Sequence, residues 1–90
     1  MTPKELVDTL NEVAWSLRET GHKDWEVPAR LAIRITGRIH SISNLDNDSR
    51  PLVSLCASGA SVLAEAHDLY PDLPCWSQPS VATLLINLAG

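Results

Sequence analysis

The stretch TPKELVDTLNEVAWSLRETG, residues 2–21, carries the signals of one amphipathic helix from its first residue to its last. Thr2 precedes Pro3, and Glu5 stands three residues after Thr2, which is the pattern of a capping box with proline in the first turn. Apolar residues then recur at helical spacing, and Gly21 is typical of the residue that ends a helix. We predict a helix at about residues 3–20.

Three more helices are predicted from the same kind of spacing. They cover about residues 24–43, 50–69 and 79–90, with Ser49 and Ser77 as the caps of the last two. Ninety residues fit one domain and leave no room for two. The chain is therefore predicted to be a single all-α domain over residues 1–90, arranged as a small four-helix bundle.

The second of these segments also fits a short β-hairpin. Large apolar residues alternate with other residues from Leu31 to Ile35, which is a strand pattern, and Thr36-Gly37 would supply the turn. The helical pattern covers more of the segment, so helix is preferred. A hairpin at about residues 30–43 remains the alternative.

The third segment has only small residues in its middle, Ala-Ser-Gly-Ala-Ser at 57–61. Small side chains allow another backbone to approach closely. We expect a tight helix crossing there, either within the fold or across a dimer axis.

The C-terminal segment, residues 73–90, contains no charged side chain. A helix that is apolar almost all round is normally buried, and a chain of this size has little interior in which to enclose one. This helix is predicted to be either the centre of the bundle or a subunit interface. In the second case the chain is a homodimer or a higher homo-oligomer, and the predicted self-association residues are Leu84, Leu85 and Leu88.

Trp15 falls on the polar side of the first predicted helix, beside Asn11 and Arg18. Large aromatic residues and arginine are enriched where proteins meet partners. Trp15, Arg18 and Asn11 are therefore predicted to bind a partner protein. The alternative is that the proline-rich connector at residues 72–78, which carries Trp76, folds over Trp15.

The chain is acidic, with a formal net charge of −4, but its charge is uneven. Residues 22–42 carry four basic and two acidic side chains, and Arg30, Arg34 and Arg38 share one helical face. This face would suit an acidic protein partner. Nucleic-acid binding is the alternative function, but it is less favoured because such domains usually have a basic net balance.

No motif for catalysis, metal binding or nucleotide binding is present. Cys56 falls in an apolar stripe and is expected in the core, whereas Cys75, between Pro74 and Trp76, is expected at the surface. The sequence places no base beside either thiol. We therefore predict no enzyme activity, no cofactor and no metal.

No signal peptide or membrane-spanning run is recognisable, so a cytoplasmic protein with reduced thiols is expected. Together these features favour a small non-enzymatic protein–protein interaction module of the accessory, inhibitor or immunity (antagonist) type. It would act by binding another protein or by self-association. This functional class is inferred from size and charge, by analogy.

Overall fold

The computed structural model describes residues 2–44 and 50–89, apart from the side chains of residues 43–44, 85 and 87–89. Within these ranges there are four α-helices, two short 3-10 helices and no strand. The elements in chain order are α1 (Pro3–Glu19), η1 (Lys23–Trp25), α2 (Glu26–Asn44), α3 (Arg50–Leu69), η2 (Pro74–Ser77) and α4 (Pro79–Ala89). The predicted all-α class is confirmed.

Both predicted ends of α1 are confirmed. Thr2 Oγ1 accepts a hydrogen bond from the backbone N–H of Glu5 at 3.2 Å. At the other end, Gly21 has a φ of 83°, a conformation that glycine adopts without steric cost. The N–H of His22 then donates to the Leu17 carbonyl at 2.9 Å, so the turn satisfies a carbonyl of the last helical turn.

The hairpin alternative is wrong, because its residues lie inside the continuous helix α2. Thr36, which would have begun the turn, donates its hydroxyl to the Ala32 carbonyl at 2.8 Å. This is the local bond that threonine makes within a helix. The helix begins at Glu26, slightly later than predicted, because residues 23–25 form η1. The predicted cap Ser49 of α3 lies outside the described residues.

One side of α1 forms the centre of the core. The largest fully buried side chains include Leu6, Leu10, Val13 and Leu17 of α1, Ile35 of α2, Leu63 of α3 and Val81 of α4. These residues come from all four helices, so each helix contributes apolar side chains that are removed from water on folding. That burial is the main source of stability for an all-α domain of this size.

The close crossing predicted from the small residues of α3 occurs within the chain, against α1. Gly59 is buried, and a Cβ at this position would lie 2.9 Å from Leu6 Cδ2 and 3.4 Å from Leu10 Cδ1. The 2.9 Å separation is too short for a real carbon–carbon contact, so a side chain at this position would have to displace Leu6. Glycine is therefore the residue that permits this packing distance.

The fourth helix lies at the edge of the fold and is not its centre. Val81 and Leu84 are buried, but Ile86 is 71% exposed. The molecule measures 40 × 28 × 18 Å. Since a helix with its side chains is about 10–12 Å across, the shortest dimension of the molecule holds about two helices.

The prediction that Ser77 caps α4 is wrong. Ser77 belongs to η2, where its hydroxyl donates a hydrogen bond to the Pro74 carbonyl at 2.8 Å.

Candidate protein-binding surface

Trp15 lies on the outer side of α1, with 58% of its surface exposed. Helical geometry turns by about 100° per residue, which places Trp15 away from the buried row that includes Leu10 and Val13. The proline-rich connector approaches through Pro74 and Gln78 but leaves most of the indole uncovered. The sequence-based expectation that Trp15 is exposed on a polar face therefore agrees with the structure.

Two open clefts run along this side of α1. A cleft of about 540 Å³ lies between α1 and the connector, and its walls include Trp15, Glu12 and Glu19. A second cleft, of about 730 Å³, lies between α1 and the start of α4, and its walls include Asp8, Asn11 and Glu12. Since Glu12 lines both, the clefts adjoin. Gln78 Nε2 donates to Glu12 Oε2 at 3.4 Å at this boundary.

The charge of these clefts has one sign. Their acidic residues are Glu5, Asp8, Glu12 and Glu19, and none of the residues lining either cleft is lysine or arginine. The exposed indole is thus bordered by carboxylates on one side. We call this surface, formed by Trp15, Asn11 and the four carboxylates, the α1 face.

Arg18 is on α1 but points toward a different neighbour. Its guanidinium carbon lies 5.2 Å from the centre of the Trp25 ring in η1. This is cation–π geometry, which ties η1 to the end of α1. Of the three residues predicted together, the structure places Trp15 and Asn11 at the clefts, whereas Arg18 lines neither cleft and lies over the Trp25 ring.

The three arginines of α2 are not equivalent. Arg30 is exposed and pairs with Glu26 Oε2 at 3.3 Å. Arg34 is exposed, whereas Arg38 is half-buried. Arg34 and Arg38 line a shallow cleft that includes Pro51 of α3. The predicted basic face therefore contains one arginine already paired within its own helix and one that is partly buried.

Of the three residues predicted to mediate self-association, Leu84 is the one whose side chain the structure describes. Leu84 is 3% exposed, because it packs into the core of its own chain. Its side chain is therefore not on the surface that a single chain presents. The side chains of Leu85 and Leu88 lie outside the described residues.

The expectation that Cys75 is at the surface is wrong. The thiol is buried, 1% exposed, because η2 turns the connector back onto α1. Burial raises the pKa of Cys75, and a hydrogen bond with Ser16 offsets only part of that rise. Cys56 is half-buried, and burial raises its pKa as well. A nucleophilic cysteine needs the opposite shift, toward the thiolate.

An aromatic cluster that the sequence pattern did not predict closes the end of the fold where α3 meets η1 and η2. The rings of His22 and Tyr70 lie 4.3 Å apart, and the Tyr70 hydroxyl donates to the Asp24 carboxylate, which raises the pKa of Tyr70. Trp76 donates its indole N–H to the Tyr70 carbonyl at 2.7 Å, and its ring meets that of His67 edge-on. Trp76 is therefore held here and does not cover Trp15.

Among the described residues, no group of three histidine, cysteine, aspartate or glutamate side chains is placed to hold a metal ion. No helix in this part of the chain is both long and apolar enough to cross a membrane. No protein family, curated protein or solved structure matches the chain.

Proposed function

We propose that this protein is a small non-enzymatic interaction module that binds another protein through the α1 face, with Trp15 as the anchor. The observation that carries the proposal is an indole that is 58% exposed next to two adjoining clefts. Tryptophan is enriched among the few residues that supply most of the binding free energy at protein interfaces. A module of this kind acts by occupying a partner's surface, as an accessory subunit, inhibitor or antagonist does.

The charges around Trp15 support a basic contact segment on the partner. Glu12 and Glu19 would accept charge-assisted hydrogen bonds from lysine or arginine, and the indole face would attract the same cations. Asn11, at the neighbouring cleft, has an amide that can both donate and accept hydrogen bonds. The arginines of α2 alone would favour an acidic partner. The carboxylates of the α1 face favour a basic contact segment instead.

The proposal is tested by affinity capture from an extract of the source organism. The baits are the wild-type chain, Trp15→Ala, and Val53→Ala as the matched control. Val53 is 65% exposed on α3, so its truncation removes a similarly exposed apolar side chain elsewhere. We expect the wild type and Val53→Ala to retain the same proteins. Trp15→Ala should lose at least about 1 kcal/mol of binding free energy, or roughly fivefold in affinity.

A thermal melt of each bait separates binding from folding. Equal retention by Trp15→Ala and the wild type would overturn the proposal. A large drop in the melting temperature of Trp15→Ala would instead assign the indole to the core. The double variant Glu12→Gln, Glu19→Gln tests the partner chemistry, because a basic segment should bind it less tightly at low salt.

Nucleic-acid binding remains the second candidate, favoured by the exposure of Arg30 and Arg34. It predicts a gel shift of duplex DNA that weakens steeply as salt is raised, because phosphate contacts release counterions. The absence of a shift at low salt would remove this function. A shift abolished by Arg34→Ala but not by Trp15→Ala would replace the α1 proposal with it.

A further inference from the structure

A cleft of about 210 Å³ opens where η1 and the start of α2 meet the second half of α3. We call it the Tyr70 cleft, after the aromatic residue in its wall. Two of its lining residues, Asp24 and Glu65, are acidic, and all the others are apolar or aromatic. The apolar ones are Leu17, Val27, Pro28, Val62, Ala66 and Leu69.

The bottom of the Tyr70 cleft is buried, and its edges are exposed. Leu17 and Ala66 are 1% and 7% exposed, whereas Val27 of α2 and Leu69 of α3 are 55% and 60% exposed. A single exposed apolar residue needs no explanation. Here two such residues from different helices border one cleft, so its apolar surface continues from the interior out onto both edges.

The charge at the Tyr70 cleft is negative. Asp24 and Glu65 are exposed, and none of the described residues that line the cleft is lysine, arginine or histidine. The Tyr70 hydroxyl donates to the Asp24 carboxylate, which holds that carboxylate at the cleft. A positive group placed here gains charge-assisted hydrogen bonds, whereas a negative group is repelled.

We propose that the Tyr70 cleft binds a basic segment of a partner protein. One apolar side chain of the segment enters the cleft, and a lysine or arginine next to it contacts Asp24 or Glu65. This contact differs from the one proposed for the α1 face. There the Trp15 indole projects toward the partner, whereas here a side chain of the partner enters this chain.

The size of the Tyr70 cleft favours a protein segment over a free small molecule. Pockets for drug-sized ligands measure roughly 300–1,000 Å³, which is more than this cleft offers. A cavity of roughly 150 Å³ is enough for benzene, so the cleft accommodates one leucine or phenylalanine side chain. The exposed surfaces of Val27 and Leu69 extend beyond it and can contact the rest of the segment.

The test is a nuclear magnetic resonance titration of the ¹⁵N-labelled full chain with three short capped peptides at millimolar concentration. In the first peptide one leucine stands between two lysines. The second replaces the lysines with glutamates, and the third replaces the leucine with glycine. We expect the first peptide to shift the amide signals of Val62, Glu65 and Leu69 saturably, and the other two to bind at least fivefold more weakly.

Two pairs of matched variants assign the binding to the Tyr70 cleft. Leu69→Ala removes an apolar edge, and Val53→Ala truncates a similarly exposed side chain elsewhere on α3. Glu65→Lys reverses a charge of the cleft, and Asp68→Lys makes the same change at an exposed position of α3 that does not line it. The first member of each pair should weaken binding of the lysine peptide at least fivefold, and the second should stay within twofold of the wild type.

The spectrum of each variant shows directly whether it is folded. No shift with the lysine peptide, equal binding of the lysine and glutamate peptides, or wild-type binding by folded Leu69→Ala and Glu65→Lys would each overturn the inference. Shifts confined to Asn11 and Trp15 would also overturn it, because they would place the basic segment on the α1 face. The proposed function of the α1 face stands or falls by its own test, since Trp15 does not line the Tyr70 cleft.

Discussion

On its inner side α1 presents fully buried leucines, whereas on its outer side Trp15 keeps 58% of its surface exposed. Leu6 and Leu10 cover Gly59 so closely that a Cβ there would be 2.9 Å from Leu6 Cδ2. The indole of Trp15 borders open clefts. Packing thus restricts the size and shape of the side chains on the inner side of α1 but not on its outer side. Substitutions on the inner side should change stability, and substitutions on the outer side should change binding.

The largest effect is expected from Leu10→Ala on the inner side. Truncation of a fully buried leucine leaves a cavity and removes apolar burial, which costs about 2–5 kcal/mol. Urea unfolding followed by circular dichroism measures the loss. Leu69→Ala, at a leucine that is 60% exposed, should change the free energy of unfolding by no more than about 0.5 kcal/mol. Equal losses in the two variants would contradict the assignment of the inner side.

Gly59→Val tests the contact between α1 and α3 by adding side-chain volume instead of removing it. The added side chain must displace the buried Leu6, and over-packing of this kind costs about 1–3 kcal/mol. The same urea experiment measures the effect. Unfolding at the wild-type midpoint would show that Leu6 moves aside freely and that the close crossing is not required.

Gly37→Ala, unlike the two substitutions above, should stabilise the folded protein. Gly37 is inside α2, and a Cβ at this position would meet no heavy atom within 4 Å. Alanine is favoured over glycine in a helix by about 0.8–1.0 kcal/mol, so the free energy of unfolding should rise by up to that amount. A decrease in the melting temperature would mean that the space beside Gly37 is filled in the folded protein.

Trp15→Ala should change the free energy of unfolding by no more than about 0.5 kcal/mol in the same measurements. The indole is mostly solvated, so its removal exposes little buried surface. A loss as large as that of Leu10→Ala would remove the distinction between the two sides of α1.

The smallest effect concerns Cys75, which lies beneath α1 against Ser16. Its pKa is raised by burial above the ordinary value of 9.0, so the folded state favours the neutral thiol. The stability from this preference is complete below pH 9.0 and is lost as pH rises through the pKa of the folded protein. Ellman's reagent should react more slowly with Cys56→Ser, which retains Cys75, than with Cys75→Ser. Equal rates would mean that η2 opens freely.

Local signals in the sequence predicted the elements that depend on local structure. Thr2 and Gly21 set the ends of α1 through their own backbone and side-chain geometry, so they could be read without tertiary information. The hairpin alternative for α2 failed because alternation over a few residues competes poorly with a helical stripe that continues to Ile39. The exposure of Trp15 followed from the same periodicity.

The features that the sequence did not predict depend on distant parts of the chain. Cys75 is buried because η2 packs back against α1, and Trp76 is held by Tyr70. The acidic clefts combine carboxylates of α1 with residues near Gln78, more than sixty positions further along. Spacing along the chain carries no information about such pairings, so the clefts could be found only in the folded structure.

Site-specific photo-cross-linking in cells of the source organism shows whether the α1 face contacts another protein. A benzophenone amino acid at Asn11 keeps Trp15 intact and places the reactive group on the α1 face, and the same group at Val53 is the control. We predict a discrete adduct with another protein from position 11, absent from position 53 and lost when Trp15→Ala is added. No adduct from position 11, or the same adducts from both positions, would mean that the α1 face is not the protein-binding surface.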